Sequence, residues 1–122
     1  LGYVSAGDKD TLVNIQNAIG GSSGDIFKMA TGDIVNTLDG NSSNGNLVSY
    51  EYYTSGVTVD LCRTDSQTVV IGSSYIDTLI NIQNIKGGEG NDTFRTKFAV
   101  SNQFDGNSGN NTMDYSNANA SQ

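Results

Sequence analysis

The chain repeats itself, and no other feature limits its fold as strongly. Asp10-Thr11-Leu12-Val13-Asn14-Ile15-Gln16-Asn17 recurs 67 residues later as Asp77-Thr78-Leu79-Ile80-Asn81-Ile82-Gln83-Asn84, identical at seven of eight positions, with Ile for Val at the other. Each copy runs into a glycine pair, Gly20-Gly21 and Gly87-Gly88, and then into an acid and a phenylalanine, Asp25 and Phe27, Asp92 and Phe94. Further on, Asp39-Gly40-Asn41-Ser42 aligns with Asp105-Gly106-Asn107-Ser108 at an offset of 66, and Ser49-Tyr50 with Asp114-Tyr115 at 65. The drift is that of one-residue insertions and deletions. The chain reads as one domain, 1–122, holding a little under two copies of a unit of roughly 65 residues, about 10–61 and 77–122.

Inside each unit runs a finer period of about nine or ten residues. Phe27, Leu38 and Leu47 or Val48 in the first unit, and Phe94, Phe104 and Met113 in the second, are large apolar residues at that spacing, each behind a cluster of Gly, Asn or Asp. A tight turn, a short strand with one inward apolar residue and another turn describe a chain that winds a flattened coil. No winding of such a coil buries its apolar face without the next. The expected fold is therefore all-β, a parallel β-solenoid of the β-roll or β-helix kind. Alternation in Val57-Thr58-Val59-Asp60-Leu61 and in Ile80-Asn81-Ile82-Gln83 predicts strands there too. Helix competes over Asp10 to Ile19, where Asp10 precedes Leu12, Ile15 and Ile19 like a cap, but β-branched residues and nearby Asn and Gln favour a strand. Outward Asn and Gln side chains are expected to stack as ladders between windings.

Composition fits. An apolar content of 35% with 15 glycines leaves little for a thick core, and no run approaches the ~20 apolar residues of a membrane span. A formal charge of −7 repels nucleic acid and anionic membranes and favours cations. With no His and one cysteine, Cys62, the chain lacks an intrachain disulfide and the commonest transition-metal ligand, which leaves oxygen-ligand chemistry. Cys62, beside Leu61, reads as a small buried hydrophobe. The start at Leu1, with neither an initiator Met nor a signal peptide, reads as a mature product or a piece of something longer.

Gly87-Gly88-Glu89-Gly90-Asn91-Asp92-Thr93-Phe94-Arg95 fits Gly-Gly-x-Gly-x-Asp-x-U-x throughout, with U a large apolar residue. This run resembles the hemolysin-type, or RTX, calcium-binding repeat family. Glycines turn carbonyl oxygens inward and the Asp adds a carboxylate, which suits a hard cation that takes about six to eight oxygens. In that family the ion lies between turns about eighteen residues apart. The resemblance thus implies Ca2+ held by Gly87, Gly88, Gly90 and Asp92 with Gly106, Gly109 and Asn111 of the stacked turn. A weaker site is implied at Gly20, Gly21 and Asp25, where Ser23 replaces a glycine and Gly45 falls in the Asp position of the turn above. Asn36 and Asn102 take that position in the intervening repeats, so those are expected to bind nothing.

Tyr50, Tyr52 and Tyr53 with Glu51 offer a stacking surface for a saccharide or protein, against the plainer reading as packed aromatics on a solenoid edge. Arg63 and Arg95 sit in no recognisable acidic constellation, so no catalytic centre is expected. The combined expectation is a non-catalytic structural or adhesive module of a secreted or cell-surface bacterial protein, such as an adhesin or surface-layer component. Its expected partners are calcium and either flanking repeats or further copies of itself. Both ends look cut within a unit, since no Val-Thr-Val strand follows Asp114-Tyr115. The rival expectation is a carbohydrate-binding module of an enzyme that modifies extracellular polysaccharide.

Overall fold

The computed structural model describes residues 3–6, 8–9, 12–13, 15–31, 35–42, 44–62, 67–71, 75–96 and 101–116. Every regular element among them is a strand. In chain order these are β1 (Tyr3–Ala6), β2 (Asp8–Lys9), β3 (Asn17–Ile19), β4 (Ile26–Lys28), β5 (Thr37–Asp39), β6 (Leu47–Ser49) and β7 (Val57–Asp60). They continue as β8 (Gln67–Ile71), β9 (Tyr75–Ile80), β10 (Asn84–Lys86), β11 (Thr93–Arg95), β12 (Gln103–Asp105) and β13 (Thr112–Asp114).

Most strands hold three residues because the turns return so often, and a three-residue strand has room for one inward side chain at its centre. That centre is Phe27 in β4, Leu38 in β5, Val48 in β6, Ile85 in β10 and Phe94 in β11, all buried. Each such burial contributes about 1.5–3 kcal/mol, so no strand stands without its neighbours. The nine-to-ten-residue apolar period is thus the core, with Val48 rather than Leu47 filling its place in β6.

Two sheets carry the strands. The six-stranded sheet has the order β12-β10-β6-β4-β1-β2, and the seven-stranded sheet β13-β11-β7-β8-β9-β5-β3. The repeat strands pair in parallel: β4 with β6, β6 with β10 and β10 with β12 in one sheet, β3 with β5, β5 with β9, β7 with β11 and β11 with β13 in the other. Among the described residues, antiparallel pairing is confined to the β1–β2 hairpin, its contact with β4, and the β7-β8-β9 meander between the units.

The duplication is preserved in register. Ala18 opposes Leu38 as Ile85 opposes Phe104, and Phe27 opposes Val48 as Phe94 opposes Met113. Yet corresponding strands lie in opposite sheets. β3 and β5 belong to the seven-stranded sheet while their counterparts β10 and β12 belong to the six-stranded one, and β4, β6, β11 and β13 are exchanged likewise.

No described residue of the Asp10 to Ile19 stretch is helical, in keeping with the strand reading. The strand expected over Ile80 to Gln83 does not form: β9 ends at Ile80 and Asn81 turns back with φ 53°. Asn tolerates that left-handed conformation, whereas alternation of apolar residues cannot distinguish a strand from a turn whose Ile82 happens to point inward.

Candidate functional site

The glycine-led turns that precede β4, β6, β11 and β13 share one construction. Gly20, Gly40, Gly87 and Gly106 each carry no Cβ where a side chain from farther along the turn folds back over the backbone: Asp25, Asn46, Asp92 and Asn111 respectively. A Cβ at any of the four would fall on that carboxylate or amide. The sequence thus needs glycine there for space.

The folded-back group closes the turn. Asp25 Oδ2 accepts the Gly21 N–H (2.8 Å), and Asp92 Oδ2 accepts the Gly88 N–H (3.0 Å). Asn46 and Asn111 close theirs in the other sense, donating Nδ2–H to the carbonyls of Gly40 (3.0 Å) and Gly106 (2.9 Å). Those carbonyls are of the kind that would face a cation, and here an amide N–H meets them.

The same groups join turn to turn. The Asp25 N–H donates to Asn46 Oδ1 and the Asp92 N–H to Asn111 Oδ1, both at 2.9 Å, while the Val57 N–H donates to Asp92 Oδ1 at 2.8 Å. Asn46 Nδ2 reaches on to the Asn81 carbonyl (2.8 Å). A further ladder follows the expected Asn and Gln positions, although the donors are backbone amides. Gln83 Oε1 accepts the N–H groups of Gly45 and Asn46, Asn84 Oδ1 that of Gln103, and Asn91 Oδ1 that of Asn110.

The structure therefore brings Gly87, Gly88, Gly90 and Asp92 together with Gly106, Gly109 and Asn111, and Gly20, Gly21 and Asp25 together with the turn at Gly40 to Asn46. It does not bring the two groups together. The first pair of turns leads from the six-stranded into the seven-stranded sheet, the second pair in the reverse direction. One expected position shifts: the residue that meets Asp25 is Asn46 rather than Gly45, because this turn holds one residue more than its counterpart from Gly106 to Asn111. Among the described residues no three acidic, Cys or His side chains gather as a metal group.

A second polar cluster, missed by motif reading, lies where the units meet. Asp77 is fully buried; its Oδ1 accepts both the N–H (2.9 Å) and the Nδ2–H (3.0 Å) of Asn36, and its Oδ2 accepts the Tyr50 hydroxyl (2.9 Å). Burial raises the Asp77 carboxyl above its ordinary value against those hydrogen bonds, and burial likewise raises Asp92. Tyr50 is pushed well up, by burial first and by the Asp77 charge next. The identity of the two eight-residue runs was the available signal, because Asp77 opens the second.

Tyr50 and Tyr53 are packed edge to face in the core, and only Tyr52 of the three tyrosines is exposed, with Lys28 Nζ 5.0 Å from its ring centre. Glu51 lies between Lys28 and Lys86, and its hydrogen bond with Lys28 is the main cause of its lowered pKa. Arg95 pairs with Asp114 (2.9 Å), while Arg63 lies outside the described residues. Cys62 is buried, which raises its thiol pKa. Comparison of the chain with family models, with curated proteins and with solved structures gives no match.

Proposed function

We propose that the chain is a non-catalytic structural segment of a secreted or cell-surface protein, wound as a short parallel β-solenoid whose work is spacing and assembly. One observation carries this reading: both units repeat the same Gly-to-Asx turn closure and the same turn-to-turn hydrogen bonds, at Asp25 over Asn46 and at Asp92 over Asn111. Polar side chains engaged in turn closure are occupied in holding the stack, an arrangement suited to a spacer.

Calcium enters this proposal as a stiffening ligand of the turn pair Gly87–Asp92 and Gly106–Asn111, on the strength of the resemblance to hemolysin-type repeats. It must compete there, since both Asp92 oxygens already accept backbone N–H groups. An ion that binds only the folded state adds about 2.7 kcal/mol at a hundredfold excess over its Kd. Thermal melting in calcium and in chelator is the test. A higher midpoint with calcium supports the ion, and coincident midpoints remove it and leave the hydrogen bonds as the closure.

A carbohydrate-binding role has one observation in its favour, the exposed Tyr52 ring beside Lys28. With Tyr50 and Tyr53 buried it rests on a single ring. Glycan-array binding lost in Tyr52→Ala supports it, and binding to no glycan removes it.

A further inference from the structure

We propose that the end of the stack formed by β12 and β13 receives β3 of a second copy, together with the Leu12 and Ile15 that precede it, head to tail. The register is the one in which Asp77–Lys86 packs on the first unit. The proposal rests on the stacked-repeat reading above and adds a partner and a register to it.

The chain contains its own template for this contact. Within one molecule the run that opens the second unit docks on the first: β9 pairs with β5 and β10 with β6. The Gly40 N–H donates to the Ile80 carbonyl and the Tyr50 N–H to the Lys86 carbonyl, both at 2.8 Å, and Asp77 binds Asn36 and Tyr50. The run that opens the first unit is the same at seven of eight positions. One sequence, apart from that single exchange, thus packs Leu79 and Ile82 into the core in the second unit and leaves Ile15 exposed in the first.

Exposure marks both halves of the unmet contact. Ile82 is 1% exposed, while its counterpart Ile15 is 41% exposed, and Ile19 is 74% exposed. β10 is paired on both edges, but β3 is paired with β5 alone among the described residues. At the other end, Tyr50 is fully buried and its counterpart Tyr115 is 51% exposed. Phe104 and Met113, counterparts of the fully buried Leu38 and Val48, are only partly covered. Together with Phe94 and Tyr115 they line an open cavity of about 440 Å³.

In the transferred register Met113 opposes Ala18 of the second copy, as Val48 opposes Ile85, and Phe104 opposes its Leu12, as Leu38 opposes Leu79. The receiving chemistry is present in the counterparts of Asn36, Asn46 and Tyr50, which are Asn102, Asn111 and Tyr115. β1 already covers the outer edge of β4, so the hairpin leaves β3 as the open strand of that end. Where Lys86 meets Glu51 inside the chain, Ile19 and Ser116 would meet between copies, an uncharged contact. The two surfaces differ, so the association is heterologous and extends into chains instead of closing as a dimer. Copies of charge −7 repel, so the association strengthens as salt screens them.

The experiment is sedimentation velocity over a concentration series at low and raised salt, on the intact chain and on Ile15→Asp and Met113→Asp. The intact chain is expected to form dimers and longer species, more at raised salt, and each variant alone to remain monomeric. An equimolar mixture of the two variants is expected to stop at dimers, because it offers one open head and one open tail. A strictly monomeric intact chain overturns the proposal, and so does Ile15→Asp that still dimerises, since that would be pairing of like ends. Hydrogen exchange separates this failure from failure of the parent reading: protected Val57 and Asp92 amides in a monomer keep the stack and discard the assembly.

Discussion

The two units close their turns with the same hydrogen bonds and do not enjoy the same burial. In each, an aspartate N–H meets an asparagine Oδ1 at 2.9 Å, and an asparagine with φ near 60° follows the glycine that opens the second turn, Asn41 at 59° and Asn107 at 57°. In the first unit the second turn is covered by Asn81 and Gln83 and its tyrosine is buried against Asp77, while in the second unit Asn111 and Tyr115 are exposed. Turn chemistry is therefore local to each unit, whereas stability depends on what is stacked above it.

The largest effect expected to sharpen this contrast is at Asp77. Asp77→Ala leaves the Asn36 and Tyr50 groups without their buried acceptor and should cost about 3 kcal/mol. Asp77→Asn keeps an oxygen for Asn36 and can donate to the tyrosine, so chemical denaturation should find it within about 1 kcal/mol of the parent. If the two variants unfold alike, the cluster does not join the units.

Next come paired glycines. A Cβ at Gly40 falls on both the Asn46 amide and the Asn81 carbonyl, whereas at Gly106 it falls first on the exposed Asn111 side chain, which can move. Gly40→Ala should cost about 2–3 kcal/mol and Gly106→Ala about 1 kcal/mol, read as midpoint shifts near ~3–6 °C per kcal/mol. Equal shifts would break the comparison. Tyr50→Phe should cost about 1 kcal/mol through its lost bond to Asp77, and Tyr115→Phe, at an exposed position, less than about 0.5 kcal/mol.

The smallest effect is that of pH. Asp77 and Asp92 have folded-state pKa values raised above the ordinary 3.8, so their contribution is fully present below that value and is lost as pH rises through the higher folded value. Glu51 and Asp114 act in the opposite sense. Their pKa values are lowered, Glu51 chiefly by Lys28 and Asp114 to about 2 chiefly by Ser116, so their contribution is lost as pH falls through the folded value. Stability measured from neutral pH downward should therefore rise first, through Asp77 and Asp92, and then fall. Asp77→Asn should flatten the rise, and an unchanged profile in that variant would remove Asp77 as its source.

Much of this architecture was legible in the residues. Phe27, Leu38, Phe94, Phe104 and Met113 occupy the strand centres their spacing assigned, because a turn every nine or ten residues leaves one inward position per strand. Asp25 and Asp92 follow glycine pairs and Asn111 follows Gly106, so the repeat motif places all three in its Asp position. The motif register puts Gly45 in the Asp position of the Gly40 turn, one residue before the Asn46 that fills it, because a fixed register does not show an inserted residue. Asp77 was counted only as part of a repeat, since nothing local tells a buried aspartate with three donors from a solvated one.

The sequence by itself determined the repeated unit, the glycines that open the turns and the side chain that closes three of the four, Asp25, Asp92 and Asn111, because these depend on contacts within a few residues. Only the tertiary structure decided that matching strands of the two units lie in opposite sheets, that Asp77 closes the boundary between them, and that Tyr50 is buried while Tyr115 is exposed. Those outcomes depend on which strand edge the β7-β8-β9 meander returns the chain to, a choice made by packing between residues far apart in sequence.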